Sequence, residues 1–245
     1  MLLLHPVGLD LTWWGPQFEA FACDRQVIAF DMPGHGQSDD LSSPPTFEIM
    51  AHTAASVIET LGGRPADVVG VSVGGMIAQT LALRRPDLVR SLSLVATLCT
   101  FSDQVRNALR ERARIARHEG MSRIADLSNE RWFTPAFRAR RPDMMERTRR
   151  SLLQQSGEFH AAMWEMIAGL DLAAQVPAIS CPTLVLTGTA DGNAPPAAAE
   201  AIANAIPGAT LQLMPEIGHF PPFEASDAFN TVLADFLRDL DAYCL

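Results

Sequence analysis

Residues 69–75 read Val-Gly-Val-Ser-Val-Gly-Gly: one serine among glycines, directly after an apolar run and directly before a segment of helical spacing. A strand that turns at once into a helix strains the backbone at the corner and leaves little room beside it. Glycine at Gly70 and Gly74 suits both demands. The Ser72 hydroxyl would then stand exposed at a helix N-terminus, whose free N–H groups favour an anion. The Gly-x-Ser-x-Gly spacing is that of a nucleophile elbow. A Gly/Ser turn without chemistry is the bland alternative, and the strand-then-helix context argues against it.

Short apolar runs bounded by turn residues lie on either side: 2–4 (LLL), 26–30 (QVIAF), 67–71 (DVVGV), 91–97 (SLSLVAT), 182–188 (PTLVLTG) and 209–215 (ATLQLMP). They are continuous rather than alternating, as expected of strands covered on both faces. Helical patterns at 46–62, 74–87 and 195–208 separate them, the last opening on proline and closing on Pro-Gly. Strand–helix alternation predicts an α/β fold with a mainly parallel, doubly wound sheet of six strands. Residues 101–170 carry no strand signal. They predict an all-helical lid, inserted into a core formed by 1–100 and 171–245, and several helices are expected there.

The chain has 245 residues, is 48% hydrophobic and carries a formal net charge of −9, which argues against a nucleic-acid partner. Cys23, Cys99, Cys181 and Cys244 are scattered without metal-binding or framework spacing, so free thiols, no zinc and a reducing compartment are expected. No apolar run reaches the roughly 18 residues of a membrane span, and the opening MLLLHPVG lacks the basic flank of a signal peptide. A cytoplasmic protein is expected, without membrane or metal; a homo-oligomer is left open. All 19 basic residues are arginine. Thirteen of them lie in 101–150 against seven acids, a net +6, so the helical segment differs in charge from its flanks.

A serine hydroxyl needs a base. Of the histidines after the elbow, His118 and His160 fall in the helical segment. His219 follows the last strand signal and is the candidate base. The acid should come from another loop at a strand end. Asp191 is placed for it, four residues after Thr187, with helix capping as its ordinary role; Asp103 competes. Aspartate would fix the imidazole tautomer and stabilise the imidazolium. An oxyanion hole would take one N–H from Val73 and a second from the loop after the first strand. Pro6 has no N–H, which leaves Val7, with Gly8 allowing close approach. His5 and His35 are read as packing residues.

LLLHPVGLD, AFDMPGHGQSD, GVSVGGMIAQTLALRRPDLVRSLSLV, PTLVLTGTADGNAPP and IGHF together resemble the α/β-hydrolase fold over nearly the whole chain. VGLDLTWWGPQ, ERWFTPAFRARRPD and DLAAQVPAISCPTLVL are similar to the 3-oxoadipate enol-lactonase family. That resemblance implies a cofactor-free serine hydrolase opening an enol-lactone to 3-oxoadipate in aromatic-acid breakdown. Ser72 matches the nucleophile, Asp191 the acid, His219 the base, and Trp132 a tryptophan facing the substrate, unless it merely packs the lid. The arginine-rich segment would steer an anionic substrate or form a solvated face. Other small lactones or esters, and C–C hydrolysis, use the same triad; a ligand-sensing protein on this scaffold is a further alternative. The chain departs from the family twice. Two strands usually precede the segment beginning at Met1; either they lie upstream of this start or the protein lacks them, which would leave a sheet edge uncovered. His-Pro also stands where many relatives have His-Gly.

Overall fold

The computed structural model describes residues 1–242. Six strands form one parallel sheet: β1 (Leu2–Leu4), β2 (Ile28–Ala29), β3 (Ala66–Val71), β4 (Val89–Val95), β5 (Thr183–Gly188) and β6 (Thr210–Met214). Their order across the sheet is β2-β1-β3-β4-β5-β6. The central strands are buried along nearly their whole length, which explains why they read as unbroken apolar runs. β6 alternates exposed and half-buried positions, as an edge strand does. The opposite edge, β2, is shorter than its apolar run, and two residues give an outside strand little to pair with.

The helices are α1 (Gly15–Phe21), α2 (Phe47–Thr60), α3 (Val73–Arg84), α4 (Asp103–His118), α5 (Met121–Trp132), α6 (Pro135–Arg140), α7 (Pro142–Leu153), α8 (Gly157–Ala168), α9 (Pro196–Ala205), α10 (Pro221–Glu224) and α11 (Ser226–Ala242). From β1 the chain steps outward to β2 through α1, then reverses through α2 to β3 on the other side of β1. Crossovers between parallel strands are right-handed, so this reversal puts α1 on one face of the sheet and α2 and α3 on the other. The contacts agree: α1 packs on α11, and α2 on α3. The reversal opens a crevice between the carboxyl ends of β1 and β3, the position at which open α/β sheets bind ligands.

α4 to α8 all lie between β4 and β5, with no strand among them. The two ends of this insertion meet. Thr100 bridges Asp171, and Leu172 N–H donates to the Cys99 carbonyl at 2.7 Å. Ser102, Thr134 and Ser156 cap α4, α6 and α8 through their hydroxyls. The stretch 137–157, which reads as one helical run, is divided between α6 and α7 because Pro142 cannot continue a helix. Among the described residues no helix is long and apolar enough to cross a membrane.

Candidate active site

Ser72 stands at the corner between β3 and α3 with φ +55° and ψ −117°. Such a conformation costs a residue other than glycine about 1–3 kcal/mol and persists only where the surroundings fix it. Here Ser72 N–H donates to the Val95 carbonyl at 2.9 Å. The Ser72 carbonyl accepts from Thr97 Oγ1 at 2.7 Å and from Gly75 N–H at 2.9 Å. The glycines have a measurable reason. A Cβ on Gly70 would lie 2.3 Å from the Gly74 carbonyl oxygen, and one on Gly74 would lie 2.2 Å from that of Leu4. The elbow is therefore pressed against β1, and any side chain at either position would push the corner out of place.

The structure brings the three widely spaced residues together. Ser72 Oγ lies 3.1 Å from His219 Nε2, and His219 Nδ1 lies 2.8 Å from Asp191 Oδ2. The imidazole thus donates from Nδ1 to the carboxylate and presents Nε2 to the hydroxyl. Asp191 Oδ1 accepts from the N–H groups of Asn193 at 2.7 Å and Ala194 at 3.1 Å. Burial alone would raise the Asp191 carboxyl, but the facing His219 and these two N–H groups outweigh it and hold the group below the usual carboxylate range. Asp191 does not cap α9, whose N-cap is Pro195 without a side-chain bond. Asp103 is exposed on the first turn of α4 and makes no bond to His219. His118 is exposed at the end of the same helix.

Val7 lies in the loop after β1, beside Gly8 with φ +84°, and lines the same cavity as Ser72. Val73 opens α3. Among the described residues neither the Val7 nor the Val73 N–H has a hydrogen-bond acceptor. Two free donors thus flank the crevice on the β1 and β3 sides.

The Val7 loop is held from below by two buried histidines. His5 donates from Nδ1 to the Pro6 carbonyl at 2.9 Å and accepts at Nε2 from Met32 N–H at 3.0 Å, a pattern only the neutral ring can satisfy. His35 packs edge-on against it, ring centres 5.0 Å apart. Burial pushes His5 down to about 4; burial, and then the neighbouring His5, push His35 down to about 3. Between those values and the ordinary pKa of about 6.5, the unfolded chain binds protons that the folded chain refuses, so stability falls as pH falls. Each histidine is expected to remove about 2 kcal/mol between pH 7 and pH 5, which acid-dependent chemical denaturation would measure. His35→Gln should reduce the slope by about 1.4 kcal/mol per pH unit. An unchanged slope would show that His35 is not the group excluding the proton.

Above the relay lies a cavity of about 590 Å³, lined by Ser72, His219, Val7, Met76, Phe220 and side chains of the insertion. Trp132 is one of these. Its ring sits 5.1 Å from that of Phe220, which in turn lies 4.9 Å from the His219 ring. Trp132 therefore both packs the insertion and walls the cavity. Its carbonyl also accepts from His219 N–H at 2.9 Å.

Three contributors to this geometry go beyond those expected from sequence. Glu224, buried at the end of α10, accepts from Gly218 N–H at 3.1 Å and from the Thr134 hydroxyl. Burial raises its carboxyl above the ordinary range, against the pull of those bonds. Asn193 donates to the Arg131 carbonyl at 2.8 Å. Thr97 fixes the elbow as described above. The insertion is thus tied to the loop carrying Asp191 through Asn193 and to the loop carrying His219 through Trp132 and Glu224. Of the arginines in 101–150, Arg114, Arg117, Arg141, Arg149 and Arg150 face acids on the insertion's own surface. The charges of these five arginines are therefore met locally at the surface rather than inside the cavity. Among the described residues no group of three His, Cys, Asp or Glu side chains could hold a metal ion, and Cys23, Cys99 and Cys181 are free.

Residues 2–226 match the family described as alpha/beta hydrolase fold. The chain belongs to that family. It is 28% identical over 230 residues to 3-oxoadipate enol-lactonase 2 of Acinetobacter baylyi, covering 94% of this chain and 85% of that protein. The enol-lactonase of Burkholderia xenovorans has the same fold with a TM-score of 0.91 and 33% identity, over 97% of this chain and 90% of that one. A thermophilic esterase from Thermogutta terrifontis, described with malate bound, matches equally well with a TM-score of 0.91 and 31% identity, over 98% of this chain and 89% of that one. As a member of the alpha/beta hydrolase family with lactonase-like and esterase relatives, the chain is a hydrolase.

Proposed function

We propose that this hydrolase opens a small carboxylate-bearing enol-lactone, of the 3-oxoadipate enol-lactone type, through an acyl-enzyme in the cytoplasm. The observation that carries the reading is the hydroxyl–imidazole–carboxylate relay on the cavity floor, with links of 3.1 and 2.8 Å, beside two free N–H donors. Ser72 Oγ attacks the lactone carbonyl while its proton passes to His219 Nε2. Asp191 steadies the imidazolium, and the N–H groups of Val7 and Val73 receive the oxyanion. As the carbonyl re-forms, the ring C–O bond breaks and His219 protonates the departing enolate oxygen, which stays tethered to the acyl group. His219 then takes a proton from water as it attacks the acyl-enzyme, and returns it to Ser72 Oγ as the Oγ–acyl bond breaks and the acid leaves. Tautomerisation of the enol to the ketone draws the reaction forward. Trp132 walls the substrate in, and the helical insertion acts as the lid. The similarity to two enol-lactonases supports this substrate, and the malate described in the related esterase is itself a small dicarboxylate.

One observation favours a second reading. Much of the cavity wall is apolar, including Met76, Leu98, Leu109, Ile115, Leu127 and Ile167, and this would also suit a bulkier ester. Steady-state kinetics on the enol-lactone formed from muconolactone and on 4-nitrophenyl butyrate separate the two. The lactonase reading expects kcat/KM at least 100-fold higher for the lactone. A higher value for the aryl ester would assign a carboxylesterase instead.

A further inference from the structure

In α4, the buried stripe runs through Arg112, Ala113 and Ala116, so an arginine occupies a position that faces inward. Arg112 is 8% exposed and lines the cavity above Ser72. Its guanidinium carbon lies 4.7 Å from the centre of the Trp164 ring and 5.9 Å from that of Trp132. One nitrogen, Nη2, donates to Ser128 Oγ at 2.5 Å. The Ser128 hydroxyl spends its own proton on the Ile124 carbonyl at 2.7 Å, so it offers Arg112 a lone pair and no charge. Nε is buried with no acceptor, and Nη1 enters none of the hydrogen bonds of the described residues.

No carboxylate lies within ion-pair distance of Arg112 among the described residues. Glu111, the carboxylate on the cavity wall, is held instead by Arg114, with contacts of 2.7–3.0 Å. The second guanidinium on the wall, Arg131 at the exposed rim, bonds to the neutral Asn193. A buried, unneutralised guanidinium is costly, and native structures retain one where an anion completes it. Burial, and then the neighbouring charge of Arg131, bring its pKa down to about 10, so the side chain remains a cation at neutral pH.

The placement of Arg112 is also actively maintained. Trp164 Nε1–H donates to His160 Nε2 at 2.8 Å, and His160 Nδ1 then donates to Gln155 Oε1 at 2.8 Å. His160 is buried and its pKa is pushed well down, first by burial and then by Arg112, so the ring stays neutral and keeps Nε2 as an acceptor. Gln155, His160 and Trp164 thus fix the aromatic platform on which the guanidinium stacks, leaving Nη1 as the donor open to a carboxylate oxygen.

We propose that Arg112 is the specificity-determining residue of this cavity and that it pairs with the free carboxylate of the substrate, holding that end away from Ser72 across the Trp132 side of the pocket. This deepens the hydrolase reading above and rests on it. The charge that selects the substrate is then one buried arginine, with Arg131 at the rim, and not the basic surface of the insertion.

The test uses two esters that differ only in charge, the mono-4-nitrophenyl ester of adipic acid and its methyl-capped neutral counterpart. The unmodified protein should show a KM at least tenfold lower for the acid, with similar kcat for both. Arg112→Gln should raise KM for the acid at least tenfold more than it raises KM for the neutral ester. Arg112→Lys, which keeps the charge and loses the planar fork, should restore part of the difference. No preference in the unmodified protein overturns the assignment, even if neither variant folds. Equal losses on both esters would make Arg112 a packing residue and overturn it as well. Ser72→Ala separates the two levels. If it abolishes hydrolysis of the neutral ester while the charge preference is absent, the Arg112 assignment alone fails. If it leaves hydrolysis intact, the serine reading fails and the assignment falls with it.

Discussion

Ser72→Ala is expected to lower kcat by about 10⁴–10⁶-fold while KM changes only a few-fold and the fold is retained. The reason lies in what the hydroxyl does in the resting protein. Its side-chain hydrogen bond is the one to His219 Nε2 at 3.1 Å, whereas the corner is held through the backbone by Val95, Thr97 and Gly75. Loss of one such bond is worth about 0.5–1.5 kcal/mol, too little to unfold the domain. Alanine at φ +55° is strained much as serine is, so the elbow keeps its shape. The free N–H groups of Val7 and Val73 also remain, and with the cavity they sustain substrate binding and a residual rate. The informative result is therefore the contrast, read by kinetics and thermal unfolding on the same preparation: a collapsed kcat with a transition temperature within a few degrees of the parent. A kcat within tenfold of the parent would exclude Ser72 as the nucleophile.

The central strands were legible because each is a continuous apolar run, the pattern a sheet covered on both faces imposes on them, while β6 at the edge alternates and was legible from the turn residues that bound it. Their order was not legible, since a run of valines carries no record of its neighbour. α11 is absent from the elements read in the sequence, although Phe229, Leu233 and Leu237, four apart and buried, carry the signal for it. Ser72, Asp191 and His219 could be proposed because each follows a strand signal, at the end of a sheet where loops converge. The contacts that set their geometry could not. Glu224 is five residues beyond His219 in sequence, but its second partner, Thr134, lies in the insertion 90 residues away. The arginines show the same limit in another form. Net charge counted Arg112 and Arg114 alike, yet two positions along a helix turn a side chain through about 200°, so one enters the cavity and the other meets Glu111 at the surface. The trace of this in sequence is an arginine within the stripe completed by Ala113 and Ala116, a departure from amphipathic order that composition cannot register.

Asp191→Asn is expected to cost about 10⁴-fold in kcat, the loss that a serine triad suffers when its histidine adopts the wrong tautomer. The hydrogen bonds around Asp191 dictate which way the amide would lie. Oδ1 accepts from two backbone N–H groups, those of Asn193 and Ala194, so that position must remain an oxygen. The amide nitrogen is then forced into the place of Oδ2, facing His219 Nδ1 at 2.8 Å. Two donors cannot face each other in a buried site, so Nδ1 must give up its proton and become an acceptor. The proton of the neutral ring moves to Nε2, the atom that has to accept from Ser72 Oγ at 3.1 Å. The base is thereby disabled with the triad geometry intact. Asp191→Ala leaves the ring free to take either tautomer and should be less damaging per turnover than the nearly isosteric Asn, although it opens a gap beneath His219. Kinetics on both variants, with ¹⁵N NMR of the imidazole to read the tautomer, provide the check. An Asn variant within tenfold of the parent, or one with the proton still on Nδ1, would show that the carboxylate does not set the state of His219.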